Sequence, residues 1–176
     1  MASVRNAARP LVAALLAVAM IGPLSWRGAE VTAAEPRATT RTVTIPASAF
    51  NPMSDIIPYS RGVGCLETRS GSGAFLAPVF FEAPVVSIRK VVFYVIDAGP
   101  GSIQMELIRT QPAEQKTISL GSVLSSGSSF SMQVITLSEL SARRVSGAYG
   151  ATLSVYLPAP SRDGYLFLGA KVTYSY

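Results

Sequence analysis

The sequence predicts an all-β protein, a single antiparallel β-sandwich or jelly-roll domain that follows a cleaved signal peptide. Three observations point there. Several runs alternate apolar and polar residues with a period of two, the pattern that puts one set of side chains on each face of a sheet. Gly, Pro and Ser clusters separate those runs at short intervals, as turns separate strands. No window of a dozen residues keeps a helical period.

Residues 1–34 read as the leader. A basic start with Arg5 and Arg9 precedes an apolar run from Leu11 to Leu24, and small residues follow at Thr32-Ala33-Ala34. That order is the order of a secretory signal peptide. The run is interrupted by Gly22-Pro23 and falls short of the roughly 20 apolar residues that span a bilayer, so no membrane span is expected in the mature chain. Cleavage after Ala34 leaves 142 of the 176 residues, enough for one domain with a real core. Residues 35–41 are polar and read as a flexible lead-in. The sandwich is assigned to 42–176, and the protein is expected outside the cytoplasm, secreted or at the cell surface.

Within 42–176 the short strand candidates are Thr42 to Ile45, Ala74 to Leu76, Val79 to Glu82, Lys116 to Leu120 and Phe130 to Ile135. Val85 to Ile96 begins with alternation and becomes apolar on both faces from Val91, as a central strand covered on both sides would. Asp97-Ala98-Gly99-Pro100-Gly101 then reads as a tight hairpin connection. In the next run Ile103, Met105 and Leu107 oppose Gln104 and Glu106. Gln111 to Glu114 reads as a further turn. Thr136 to Arg144 is the one stretch suited to a short helical turn, with Ser138 as its cap. From Ala148 onward Tyr149, Ala151, Leu153, Val155 and Leu157 share a face. After a turn at Pro158 to Gly164, Leu166, Leu168, Ala170, Val172 and Tyr174 do the same. About eight strands result, and their apolar faces must be buried against a second sheet.

Composition narrows the chemistry. There is no histidine, which removes the usual general base, the Ser-His-Asp and Cys-His arrangements and the commonest transition-metal ligand. Cys65 is the only cysteine, so neither an intrachain disulfide nor a Cys-based zinc site can form. No phosphate-cradling loop or alternating acidic loop is present, and no cofactor or metal is expected. Ser87-Ile88-Arg89-Lys90 has the Ser-x-x-Lys spacing of penicillin-binding proteins, but those enzymes need it at the start of a helix and here it falls on a strand. Removing Arg5, Arg9, Arg27 and Glu30 with the leader leaves 12 basic and 9 acidic residues of the original 15 and 10. That scattered, mild excess does not make a nucleic-acid footprint.

A binding or assembly role is therefore expected rather than an enzymatic one, with no catalytic residue assigned. The chain is 49% hydrophobic and 14% charged, and the leading expectation is a module that self-associates as a homo-oligomer or recognises a surface protein or polymer. The alternative is a carbohydrate-binding module, with a glycan as partner. Tyr149, Tyr156 and Tyr165 are the candidate binding surface, since tyrosine offers both an apolar face and a polar tip. A third class, a hydrolase using Asp97 or Glu106 as general base, would need two carboxylates held close.

Three stretches carry a resemblance: Ile45-Pro46-Ala47-Ser48-Ala49-Phe50-Asn51-Pro52, Val92-Phe93-Tyr94-Val95-Ile96-Asp97, and Leu168-Gly169-Ala170-Lys171-Val172-Thr173-Tyr174. Together they resemble uncharacterised exported bacterial β-sandwich domains with an IPA-x-x-F opening and a G-x-x-V-x-Y closing strand. The resemblance implies a β-sandwich and supplies no catalytic or binding residue. The loop after Asp97, rich in Asp and Ser in those domains, is Gly-Pro-Gly here.

Overall fold

A computed structural model describes residues 38–176 apart from 63, 128 and 161–163. The predicted signal peptide lies outside the described residues. Twelve strands and two short 3-10 turns follow one another, with no α-helix among the described residues. The strands are β1 (Thr40–Pro46), β2 (Asn51–Pro52), β3 (Tyr59–Gly62), β4 (Cys65–Thr68), β5 (Gly73–Val79), β6 (Val85–Asp97), β7 (Gln104–Gln111), β8 (Lys116–Leu124), β9 (Ser129–Leu137), β10 (Arg144–Ser146), β11 (Gly150–Leu157) and β12 (Tyr165–Ser175). They form two antiparallel sheets, the predicted β-sandwich. The larger has the order β10-β6-β12-β4-β3, with β9 also on β6 and β1 also on β12; the smaller has the order β2-β5-β11-β7-β8.

Alternation explains which side chains meet between the sheets. Val86, Ile88, Val91, Phe93 and Val95 of β6 and Phe167, Ala170 and Val172 of β12 face Phe75 and Ala77 of β5, Met105 and Leu107 of β7, and Leu153, Val155 and Leu157 of β11, all buried. Burying one large aliphatic or aromatic side chain contributes about 1.5–3 kcal/mol, so this double layer is the main source of stability. Phe50 sits edge-on to Phe167 at 4.7 Å and closes the flank of the core. A bulge in β12 between Phe167 and Gly169 requires glycine: φ at Gly169 is +136°, and a Cβ there would lie 2.8 Å from the Ile45 carbonyl oxygen.

Several expectations change in the structure. Val85 to Ile96 is a central strand, paired on both edges, but Val92, Tyr94 and Ile96 on its outward face are only half-buried. No second layer covers them; Lys171 lies over the Tyr94 ring at 5.7 Å instead. Residues 97–101 do not make a hairpin, because β6 and β7 belong to different sheets and the buried Asp97, Ala98 and Ile103 carry the chain across the core. Thr136 to Arg144 forms no helix. Thr136 pairs with Val92 and Leu137 with Val91 as the end of β9. The following loop is held open by the Arg143 guanidinium, which donates to the carbonyls of Ser138 (2.7 Å) and Arg89 (2.8 Å). Val79 to Glu82 is not a separate strand either: Val79 ends β5, and residues 80–84 leave the sheet.

Candidate functional site

That departure from the sheet builds one wall of a surface groove. At the end of the sandwich where β5 and β7 finish and β11 begins, an open groove of about 520 Å³ runs between Phe80, Phe81 and Pro84 on one side and Tyr149, Gly150 and Thr152 on the other. Its volume falls in the usual range of small-molecule sites, about 300–1,000 Å³. Pro78, Pro112, Val79 and Val145 contribute apolar walls, and Thr110, Ser146 and Thr152 contribute hydroxyls. The Ser146–Tyr149 turn is closed by the Tyr149 N–H donating to the Ser146 carbonyl at 2.9 Å. Gly147 lets that turn approach the opposite wall, since a Cβ there would stand 3.2 Å from the Pro84 carbonyl oxygen.

The aromatic rings of the groove are held in different ways. Phe80 is 79% exposed, a large apolar side chain left in water at the rim. Phe81 is half-buried and packs edge-on against Tyr174 at 4.9 Å. Tyr149 is half-buried, with the Arg109 guanidinium 5.0 Å from its ring centre, a distance at which the cation is attracted to the ring face. Glu82, exposed at the rim, accepts a hydrogen bond from the Tyr176 hydroxyl at 3.3 Å and pairs with Arg41 at 3.5 Å. The Arg41 pKa is raised above the ordinary arginine value, first by its hydrogen bond with Tyr176 and then by the charges of Tyr176 and Glu82.

The three tyrosines singled out in the sequence do not share a surface. Tyr149 lines the groove. Tyr156, 41% exposed, faces outward on β11 between Ala74 and Gln104 of its neighbouring strands. Seven residues separate the two, about 23 Å along a strand. Tyr165 is 4% exposed, and its hydroxyl accepts the Gly101 N–H at 2.7 Å. Phe80, Phe81 and Glu82 were hidden from the sequence reading because their apolar run looked like a strand; Pro78 and Pro84, which bracket them, were the available signal.

Asp97 and Glu106 are not brought together. Asp97 is fully buried at the end of β6, where the Ser125 hydroxyl donates to its Oδ2. Glu106 faces outward on β7 in the other sheet, level with Ser154 and Ser122. Ser87 and Lys90 both lie within β6. Cys65 is half-buried and unpaired in β4. Among the described residues no group of three metal-ligating side chains converges, and no helix is long and apolar enough to cross a membrane.

No family model matches the chain, and no curated protein matches it. Solved structures do resemble it in fold. One is the CBM36-1 domain of a multidomain xylanase from the hindgut metagenome of Trinervitermes trinervoides, at 9% identity and TM-score 0.47, covering 75% of this chain and 96% of that one. Another is the C-terminal CBM6 of a marine laminarinase from Zobellia galactanivorans, at 13% identity and TM-score 0.47, covering 76% and 99%. A third is a family 35 carbohydrate-binding module from Clostridium thermocellum, at 11% identity and TM-score 0.42, covering 75% and 97%.

The expectation of a module for self-association or surface-protein recognition is corrected here. The solved domains just described are carbohydrate-binding modules. The apolar content on which that expectation rested is spent for the most part between the sheets. One concave feature at the surface has the dimensions of a small-ligand site.

Proposed function

We propose that this is an exported domain that binds carbohydrate in the groove beside Phe80 and Tyr149. A sugar ring has apolar C–H faces and a rim of hydroxyls, so it needs aromatic surface together with small hydrogen-bonding groups. The observation that carries the reading is that this groove supplies both: the rings of Phe80, Phe81 and Tyr149, and the hydroxyls of Thr110, Ser146 and Thr152. An exposed Phe at a rim has no packing role to account for it, whereas a ring that stacks on a ligand does. Export is supported by the basic, apolar and small-residue zones of residues 1–34.

The test is affinity electrophoresis and titration calorimetry of the 35–176 protein against a panel of soluble polysaccharides and their oligosaccharides. Binding to at least one of them is expected, with Phe80→Ala weakening it about tenfold or more, the order of effect of losing a well-placed aromatic contact. Retained affinity in Phe80→Ala, or no binding across the panel, would refute the assignment.

A further inference from the structure

Gly150, the first residue of β11, lacks the reasons that hold other glycines in this fold. A glycine within a strand gives up a packed side chain, and it is kept where the chain bulges, bends sharply or lets a ligand or another backbone come close. The register against β7 runs unbroken from Gly150 opposite Thr110 to Tyr156 opposite Gln104, so there is no bulge. The preceding turn is closed at Tyr149, and φ at Gly150 is not positive. No backbone comes close either: a Cβ built there would meet only Thr110 Cβ, at 3.8 Å, an ordinary contact. Elsewhere the need is visible. Six other glycines would set a Cβ 3.2 Å or less from a neighbour, and four more lie at positive φ.

The missing side chain opens onto the groove. β5 and β11 stay paired as far as Val79 opposite Ala151 and then part, so Gly150 stands just inside the fork and lines the groove with Phe80 and Tyr149. Ala151 is buried, so alternation turns Gly150 and Thr152 to the outer face. Thr110 lies directly across from Gly150. The hydroxyl-bearing side chains of Thr110 and Thr152 therefore flank a patch of bare backbone. A flat ring can settle on that patch at van der Waals distance from the main chain, and any side chain at position 150 would stand in its way. Glu82 is the one charged side chain in the lining, and Arg41 and Tyr176 already engage it. Recognition is left to hydroxyls and rings.

We infer that Gly150 is the contact floor for an uncharged sugar: a pyranose ring lies against its backbone, with ring hydroxyls bonded to Thr110 and Thr152. This inference rests on the carbohydrate reading of the same groove and narrows its ligand to neutral chains. Gly150 is then a specificity-determining position, kept small for the ligand and not for the fold.

The experiment measures, by calorimetry, neutral oligomers of glucose, xylose, mannose and galactose alongside charged oligomers of galacturonate and glucosamine. Wild type, Gly150→Ala and Gly150→Val are compared, each with a thermal melt. At least one neutral oligomer should bind more tightly than the charged ones, with an affinity that does not change as salt is raised. Gly150→Ala should weaken it, and Gly150→Val should weaken it about tenfold or more, the scale of forcing extra methyl groups into a filled contact. Both variants should melt at or above the wild-type temperature, because a side chain at a compatible φ restrains the unfolded chain and suits a strand. Unchanged affinity in Gly150→Val, a lowered melting temperature, or tighter binding of a charged oligomer would overturn the inference while leaving the carbohydrate reading standing. No binding of any oligomer to wild type would overturn both.

Discussion

The two ends of the sandwich differ in how their loops are tied to the core, although each leaves a buried polar atom without a partner: Asp97 Oδ1 at one end, Arg109 Nε and Gln111 Oε1 at the other. At one end Asp97, fully buried, receives the Ser125 hydroxyl, and Ser125 Oγ in turn accepts the Ile103 N–H at 2.7 Å. The Ser125 N–H donates to the Ile103 carbonyl at 2.9 Å, and Gly101 is tied to Tyr165. Loops there are stitched to the core. At the other end the walls stand apart around the groove. A closed end holds the sheets in register. An open end leaves its walls accessible from solvent.

The largest expected effect comes from an element common to both ends. β12 pairs with β6, β1 and β4, so deleting residues 164–176 removes the middle of the larger sheet. The truncated chain should fail to fold, with no cooperative transition in circular dichroism; a normal melting curve would refute this. Next is Ser125→Ala at the closed end, which strands both the Asp97 carboxylate and the Ile103 N–H. Stability should fall by about 3 kcal/mol in urea unfolding, while sugar affinity of the folded fraction stays unchanged. Smallest in stability is Tyr149→Ala at the open end. It should cost about 1 kcal/mol, in keeping with loss of a half-exposed ring and its cation contact, yet weaken binding about tenfold. If Ser125→Ala disturbs affinity as much as Tyr149→Ala does, the contrast between the ends is wrong.

The strands that make the core were legible because each buries one face and wets the other. β7, β11 and β12 run with the alternation read at Ile103 to Leu107, Tyr149 to Leu157 and Leu166 to Tyr174. The β3–β4 hairpin was not legible: Tyr59-Ser60-Arg61-Gly62 and Cys65-Leu66-Glu67-Thr68 are short and polar, and only Leu66 and Thr68 among them are buried. Connections were harder still. A turn between two strands looks the same in sequence whether it joins neighbours in one sheet or crosses to the other, and the residues at 97–101 did the latter. The groove escaped for a related reason. Alternation reports which side a residue faces while it stays in a sheet, and Phe80 to Pro84 matter because they have left it. Of the aromatic residues named from sequence, Tyr149 reached the groove through its place in a turn next to β11, information that composition does not carry.

Thr39 and Tyr176 exchange backbone hydrogen bonds in both directions, at 2.8 and 3.1 Å, so the two ends of the folded unit are clasped side by side. The gap between them is that of adjacent strands, roughly 5 Å. Such a unit can be spliced as a guest into a surface loop of another fold with hardly any distortion of the host. Because Tyr176 also reaches Glu82 at the rim, the splice point would stand right beside the groove.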